Sequence, residues 1–178
     1  MAGKQTLAVI ISNTMKPLHK TKPRAIANTP TVSEQRRSTI AACYSWIEYS
    51  IANGFYMEAV TIIESLIADR MESRLSFLLS GDVGFQMLQN LLDKLYSIES
   101  DRKLKELLKN PDPNSVEIDL QKWIKERNEI VHQAAKIEHA NFIPFHIKLQ
   151  RAKTSAETGK ALARKIDTRV KYLRRNGI

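Results

Sequence analysis

The stretch FYMEAVTIIESLIADRMESRLSFL, residues 55–78, decides the fold class of this 178-residue chain. Its apolar residues recur every three or four positions, and neither proline nor glycine interrupts them. The residues on this apolar stripe are Phe55, Ala59, Ile62, Ile63, Leu66, Ile67, Met71, Leu75 and Leu78. The period matches the 3.6 residues per turn of an α-helix, so the stretch predicts one long amphipathic helix. The Gly-Asp-Val-Gly sequence at 81–84 predicts that the helix ends before it.

The same period continues on both sides of this stretch and predicts further helices. Thr31 and Glu34 have the spacing of a capping box, in which side chains satisfy the free amides at a helix start, and Asn114 and Glu117 repeat that spacing. The further predicted helices cover residues 32–52, 85–98, 101–109, 114–137 and 146–175. No segment shows the alternation of a strand in a sheet. We therefore predict an all-α fold, an antiparallel bundle of four to six helices joined by short loops.

Proline placement separates the beginning of the chain from this bundle. Pro17, Pro23 and Pro30 interrupt a region that has no sustained helical period. We predict a basic, proline-containing arm over residues 1–31, with a short strand at 7–11. Residues 32–178 then form one helical domain that ends in a basic helix over 146–176. That length suits a single domain, and the 43% hydrophobic content of the chain is enough for a core.

Composition narrows the chemistry that the chain can perform. Cys43 is the one cysteine, so an internal disulfide and a cysteine-based zinc site are excluded. Its alanine and tyrosine neighbours favour a core or boundary position over a nucleophile. No run approaches the about 18 apolar residues of a membrane span, and we expect a cytoplasmic protein with no membrane partner. No glycine-rich phosphate loop occurs, and we expect no cofactor. No nucleophile elbow occurs either, so Ser-His-Asp catalysis is not expected.

The net charge of +9 is distributed unevenly along the sequence. Residues 1–33 carry a net +5, residues 147–178 a net +8, and the region between them a net −4. A mildly acidic body with basic ends favours a polyanionic partner, of which nucleic acid is the commonest, although basic tails can also serve solubility alone. The candidate RNA-binding residues on the last helix are Lys148, Arg151, Lys153, Lys160, Arg164, Lys165, Arg169, Lys171, Arg174 and Arg175.

One short segment, Arg-Asn-Glu-Ile-Val-His at 127–132, carries residue types suited to RNA cleavage. Arg127 offers a planar fork for phosphate oxygens, and a histidine such as His132 can give or take a proton at neutral pH. Asn128 can donate to phosphate or orient the imidazole. Asn128 and His132 share a helix face, but Arg127 and His132 lie about 140° apart on an ideal helix. The pair therefore converges on one phosphate only if the arginine wraps, the helix bends, or a second subunit contributes.

An arginine and a histidine at this spacing also occur by chance in many helices, so the context of the segment matters. The Arg-Asn-x-x-x-His string follows a long helix of the form Glu-x-x-x-x-Asp-Arg-x-x-x-x-Leu, from Glu64 to Leu75. Over roughly residues 35–140 the chain resembles the HEPN superfamily. The resemblance implies a helical bundle that dimerises and a metal-independent endoribonuclease of toxin–antitoxin, CRISPR or anti-phage systems. Other members of the superfamily are inactive RNA-binding or scaffold domains, which is the alternative that the resemblance leaves open.

Carried over by position, the resemblance implies that Arg127, Asn128 and His132 are the catalytic residues. It also implies that Glu64, Asp69 and Arg70 line the cleft. Arg70 falls on the apolar seam, where a charge is costly unless paired, so a purely structural bridge, for example to Glu126, is the alternative reading. Ala134 stands where a HEPN subset paired with nucleotidyltransferase antitoxins has tyrosine, so regulation through that tyrosine is not expected.

Two other features have simpler explanations than a functional site. His132, His139 and His146 recur every seven residues, but Pro144 breaks the helix and no further ligands cluster there, so we expect no metal site. Trp46 and Trp123 occupy apolar helical positions, which favours core packing over base stacking. The 127–132 motif and the HEPN resemblance together imply a homodimeric endoribonuclease that acts on RNA and has an antitoxin or defence-system partner. The alternative is an inactive RNA-binding or complex-forming subunit.

Overall fold

The computed structural model describes residues 30–109, 119–133 and 143–178, and every regular element in these ranges is an α-helix. The helices are α1 (Pro30–Ala52), α2 (Tyr56–Leu78), α3 (Leu88–Ile98), α4 (Arg102–Leu108), α5 (Leu120–Gln133) and α6 (Phe145–Arg175). This confirms the predicted all-α bundle. The predicted arm and its strand at 7–11 lie outside the described residues. Among the described residues, no helix is long and apolar enough to cross a membrane.

The long helix α2 is the centre of the bundle and packs against α1, α3 and α6. Its predicted apolar stripe is the core, where Ile63, Ile67 and Met71 are completely buried. Burying such a side chain fully contributes about 1.5–3 kcal/mol each, so this stripe supplies much of the driving force for folding. The helical period of residues 55–78 thus encodes both the helix and the surface on which the other helices assemble.

A close approach between α5 and α6 fixes the helix that carries the Arg-Asn-x-x-x-His motif. The Trp123 indole packs on Gly159, where an added Cβ would come within 2.6 Å of the ring. The indole Nε1 also donates to the carbonyl oxygen of Ser155, at 2.9 Å. Because only glycine leaves room for the ring, α5 and α6 are held together about one turn before the motif begins at Arg127.

Two predicted helix starts differ from the structure. Helix α3 begins at Leu88 rather than at residue 85, because Met87 has extended backbone with φ −64° and ψ 146°. The preceding loop turns back at Gly84, which has φ +67°, a conformation that favours glycine. Helix α5 begins at Leu120, where the Asp119 carboxylate accepts from the amide of Lys122 at 2.7 Å. The predicted cap, Asn114 with Glu117, lies outside the described residues.

The predictions for the two tryptophans have opposite outcomes. Trp123 is completely buried, as predicted, but Trp46 is 42% exposed and stacks on Tyr49 with ring centroids 5.3 Å apart. The prediction for Trp46 was wrong because the buried side of α1 is centred on its neighbour Ile47, about 100° further round the helix. Cys43 is half-buried at the edge of the core, which agrees with the boundary position expected for it.

Candidate functional site

The motif arginine is held by an ion pair across the bundle. Arg127 on α5 pairs through its Nη2 with the Oε1 of Glu64 on α2. The arginine side chain is 16% exposed and the glutamate side chain 30% exposed, so the pair lies at the edge of the core. The Nε of Arg127 is buried and has no hydrogen-bond partner in the described structure. Within the described residues, Arg127 is therefore fixed through Nη2, and its Nε donor has no partner.

The other two motif residues lie nearer to solvent. His132 is exposed in the last turn of α5, and Asn128 is half-buried one turn earlier. Neither side chain makes a hydrogen bond to another residue in the ranges that the structure covers. Since Arg127 is directed at α2 and His132 lies about 140° away around α5, one helix does not bring them onto a common phosphate. The structure joins Arg127 to Glu64, but α5 alone does not join Arg127 to His132.

Only one of the three predicted cleft residues on α2 reaches the motif. Glu64 contacts Arg127, whereas Asp69 pairs with Arg36 of α1 at 2.8 Å, on a side of α2 about 140° from Glu64. Arg70 is buried against α6, its Nε 2.6 Å from the Oδ1 of Asp167. The contact between these two atoms is an ion pair without hydrogen-bonding geometry. Arg70 thus forms the structural bridge that the sequence offered as an alternative, with Asp167 rather than Glu126.

Sequence reasoning did not place Lys148 beside the motif. Its Nζ donates to the carbonyl oxygen of Gln133 at 2.7 Å, directly after His132 at the end of α5. The antiparallel hairpin of α5 and α6 causes this contact, because the start of α6 returns past the end of α5. The sequence could have predicted this contact, because residues at equal distances from the turn of an antiparallel helical hairpin become neighbours.

The ten candidate RNA-binding residues divide into two groups by their contacts. Arg164 pairs with Glu48, Arg169 with Asp101 and Lys171 with Asp167, while Arg174 donates to Ser73 and Lys148 to Gln133. The second group contacts no acidic residue within the part of the chain that is described, and its members are Arg151, Lys153, Lys160, Lys165 and Arg175. This second group has the charge most readily offered to a phosphate.

Two aspartates that begin consecutive helices have opposite electrostatic environments. The Arg169 guanidinium, hydrogen-bonded to Asp101 at the start of α4, holds the pKa of that carboxyl below its usual value. Burial raises the pKa of the Asp119 carboxyl at the start of α5, against the smaller opposing effect of the Lys122 amide. The Oδ2 of Asp119 is buried without a hydrogen-bond partner in the described ranges. The motif helix therefore begins at a carboxylate whose charge is poorly compensated.

Within residues 30–109, 119–133 and 143–178, no three His, Cys, Asp or Glu side chains form a group that could hold a metal ion. Comparison of the chain with protein-family models, with curated proteins and with solved structures finds no match. The functional argument therefore depends on the residues themselves and on their arrangement.

Proposed function

We propose that the chain is an endoribonuclease that cleaves RNA without a metal ion, through the ribose 2′-hydroxyl, at a site formed by Arg127, Asn128 and His132. The observation that carries this proposal is the state of Arg127. Its guanidinium is anchored by one contact to Glu64, and its buried Nε has no partner. An arginine that an ion pair already holds in place is suited to stabilise charge on a phosphate, because its side chain is largely ordered before the oxygens bind.

The proposed chemistry uses each motif residue in one role. His132, exposed and unpaired within the described structure, acts as general acid or base on the 2′-hydroxyl or on the leaving oxygen. Arg127 stabilises the negative charge that develops on the non-bridging oxygens of the scissile phosphate. Asn128 orients the phosphate or the imidazole. The products then carry a 2′,3′-cyclic phosphate and a 5′-hydroxyl.

A homodimer completes the proposed site. Because Arg127 and His132 diverge by about 140° on α5, a second subunit supplies the simplest way to place an arginine and a histidine on one phosphate. The proposed biological role, a toxin or anti-phage effector controlled by a partner protein, rests on the resemblance to the HEPN superfamily.

The Glu64 contact favours a second candidate function, an inactive RNA-binding or complex-forming subunit. The carboxylate of Glu64 offsets the charge of Arg127, which weakens phosphate binding relative to a fully unpaired arginine. In that case the ion pair is structural, and the basic residues of α6 carry RNA binding without cleavage.

Cleavage of RNA in the presence of a chelator distinguishes the two functions. We expect the purified protein to cut RNA in chelator, and His132→Ala to lose about 10²–10⁴-fold in rate, the usual contribution of general acid–base catalysis. His146→Ala is the matched control, since His146 is an exposed histidine at the start of α6 outside the motif. An intact wild-type protein that binds RNA without cutting it would support the inactive subunit instead.

A further inference from the structure

The last three turns of α6 carry an exposed aromatic ring between two cations. Tyr172 is 51% exposed. Lys165 precedes it by about two helical turns and Arg175 follows it by about one, so the three side chains lie on one side of the helix. Both cations are exposed, and neither contacts an acidic residue in the part of the chain that the structure describes. This side of α6 therefore offers positive charge on both sides of a ring.

The ring of Tyr172 is held in place by Arg169. The guanidinium carbon of Arg169 lies 4.7 Å from the ring centroid and covers one face of the ring. This guanidinium is itself fixed, because its Nε donates to the Oδ1 of Asp101 at 3.0 Å and its Nη2 donates to the Oδ2. A ligand that stacks on the exposed part of the ring therefore finds it already ordered, which lowers the entropic cost of binding.

This side of α6 is separate from the 127–132 segment. Trp123 of α5 contacts α6 at Ser155, and Tyr172 lies about 25 Å further along the helix at a rise of 1.5 Å per residue. Near Tyr172 the opposite side of α6 packs on α2, where Arg174 donates to the hydroxyl of Ser73 at 3.2 Å. A ligand on the Tyr172 side therefore contacts a surface other than the proposed catalytic one.

We propose that Lys165, Tyr172 and Arg175 bind single-stranded RNA, with a base stacked on the tyrosine ring and backbone phosphates on the two cations. An aromatic ring can stack on any of the four bases, and cations beside it neutralise the backbone, which together bind single strands without sequence preference. Bases in a duplex are already stacked on one another, so this surface selects single strands. The inference rests on RNA as the ligand of the proposed function, but not on cleavage.

The experiment measures fluorescence anisotropy with a single-stranded RNA oligomer and an abasic oligomer of the same length. Both carry 2′-methoxy groups, which block cleavage through the 2′-hydroxyl. We expect Tyr172→Ala to lower the ratio of the two affinities about tenfold, within the range that one base–aromatic stack contributes. Tyr172→Phe keeps the ring, so it should show the wild-type ratio. Tyr49→Ala is the matched control, since Tyr49 on α1 is 47% exposed and lies outside this surface.

The two cations require a different result from the same assay. The Lys165→Gln, Arg175→Gln double variant should weaken the binding of both oligomers by the same factor, because both have the same phosphates. A double variant that binds both oligomers as tightly as wild type would overturn the assignment of these cations.

The remaining outcomes separate this surface from the nuclease proposal. A wild-type affinity ratio in Tyr172→Ala overturns the surface, whether or not the protein cuts RNA. An equal loss in Tyr172→Phe also overturns it, because the hydroxyl rather than the ring would then make the contact. Equally tight binding of an RNA duplex would contradict the selection of single strands. If Tyr172→Ala behaves as expected but wild-type protein cuts no unmodified RNA, the nuclease proposal fails and the surface stands.

Discussion

Two arginine–glutamate pairs connect α2 to other parts of the bundle, and they differ in how many donors of the guanidinium group have hydrogen-bond partners. Arg74 is fully buried and donates to both carboxylate oxygens of Glu99, at 2.6 and 2.8 Å, and to the carbonyl of Ile178. Arg127 donates to Glu64 through Nη2, and its Nε has no partner in the described structure. The first pair uses both carboxylate oxygens of Glu99, whereas the second leaves one donor of its arginine without a partner in the described structure. This difference separates a structural ion pair from a candidate functional one.

The largest expected effect concerns the pair of Arg74 and Glu99. Arg74→Met leaves the buried Glu99 carboxylate without its cation, and breaking a buried pair in this way costs about 3–5 kcal/mol. We expect the free energy of unfolding, measured with urea, to fall by that amount. Arg127→Met is the matched control and should cost clearly less, because Glu64 is 30% exposed and regains solvent. Equal losses in the two variants would show that the pairs do not differ as described.

Reversing the pair of Arg127 and Glu64 separates its structural contribution from its functional one. The double variant Glu64→Arg, Arg127→Glu restores an ion pair between α2 and α5, so it should recover most of the stability that either single reversal loses. RNA cleavage should remain at least about 10²-fold below wild type, since a donor at the charge of the transition state is gone. Measuring the melting temperature and the cleavage rate on the same samples tests both. Recovery of cleavage with stability would contradict a role for Arg127 in the reaction.

The two aspartates at helix starts show a similar contrast, because Asp101 is paired with Arg169 whereas Oδ2 of Asp119 has no partner in the described structure. Asp101 has a lowered pKa, so its stabilisation is present above the unfolded pKa and is lost as pH falls through the folded pKa. We expect Asp101→Asn to cost about 1 kcal/mol at neutral pH, a modest value for a charged hydrogen bond near the surface, and less in acid. The check is a series of urea unfolding curves from pH 7 downwards.

Asp119 should behave in the opposite way. Its pKa is raised, so its charge opposes folding at neutral pH, and stability increases as pH falls through the folded pKa towards the unfolded one. Asp119→Asn keeps an oxygen for the Lys122 amide and removes that charge. We expect the variant to equal or exceed wild-type stability at pH 7 and to converge with it in acid. A clear loss of stability at pH 7 would contradict this account.

The smallest expected effect concerns neighbouring basic residues on α6. Lys165 contacts no acid in the part of the chain that is described, whereas Arg164 pairs with Glu48 at 2.6 Å. Lys165→Gln should make the log–log dependence of RNA affinity on salt shallower by about 0.7, the contribution of one phosphate on a single strand. Arg164→Gln should change it less. Fluorescence anisotropy titrations at several salt concentrations provide the test, and a larger effect at Arg164 would argue against the division into two groups.

The sequence predicted the helices well because burial and helical period act locally. The apolar stripe through Ile63 and Met71, which is buried in the structure, follows directly from the spacing of those residues in the sequence. Helix α3 was harder to delimit, because the backbone at Met87 depends on how the 79–87 loop crosses the bundle. Trp46 shows a similar limit, since period alone does not say which edge of an apolar stripe faces the core.

Long-range partners were the part of the candidate site that the sequence could not determine. The motif at 127–132 was visible in the sequence, but the pairing of Arg127 with Glu64, 63 residues away, depends on the packing of α2 and α5. The same holds for Arg70, whose partner Asp167 comes from α6. A charge pattern identifies residues that need partners, and the tertiary fold decides which partners they find.

The most direct test of the central claim is cleavage of an RNA with one 2′-deoxy nucleotide at the cut site, in chelator, with analysis of the product ends. The account predicts that the unmodified RNA is cut and yields a 2′,3′-cyclic phosphate, because the 2′-hydroxyl is the attacking group. The 2′-deoxy RNA should resist. Efficient cutting of the 2′-deoxy RNA, or activity that disappears in chelator and returns with magnesium, would contradict the assignment of Arg127 and His132.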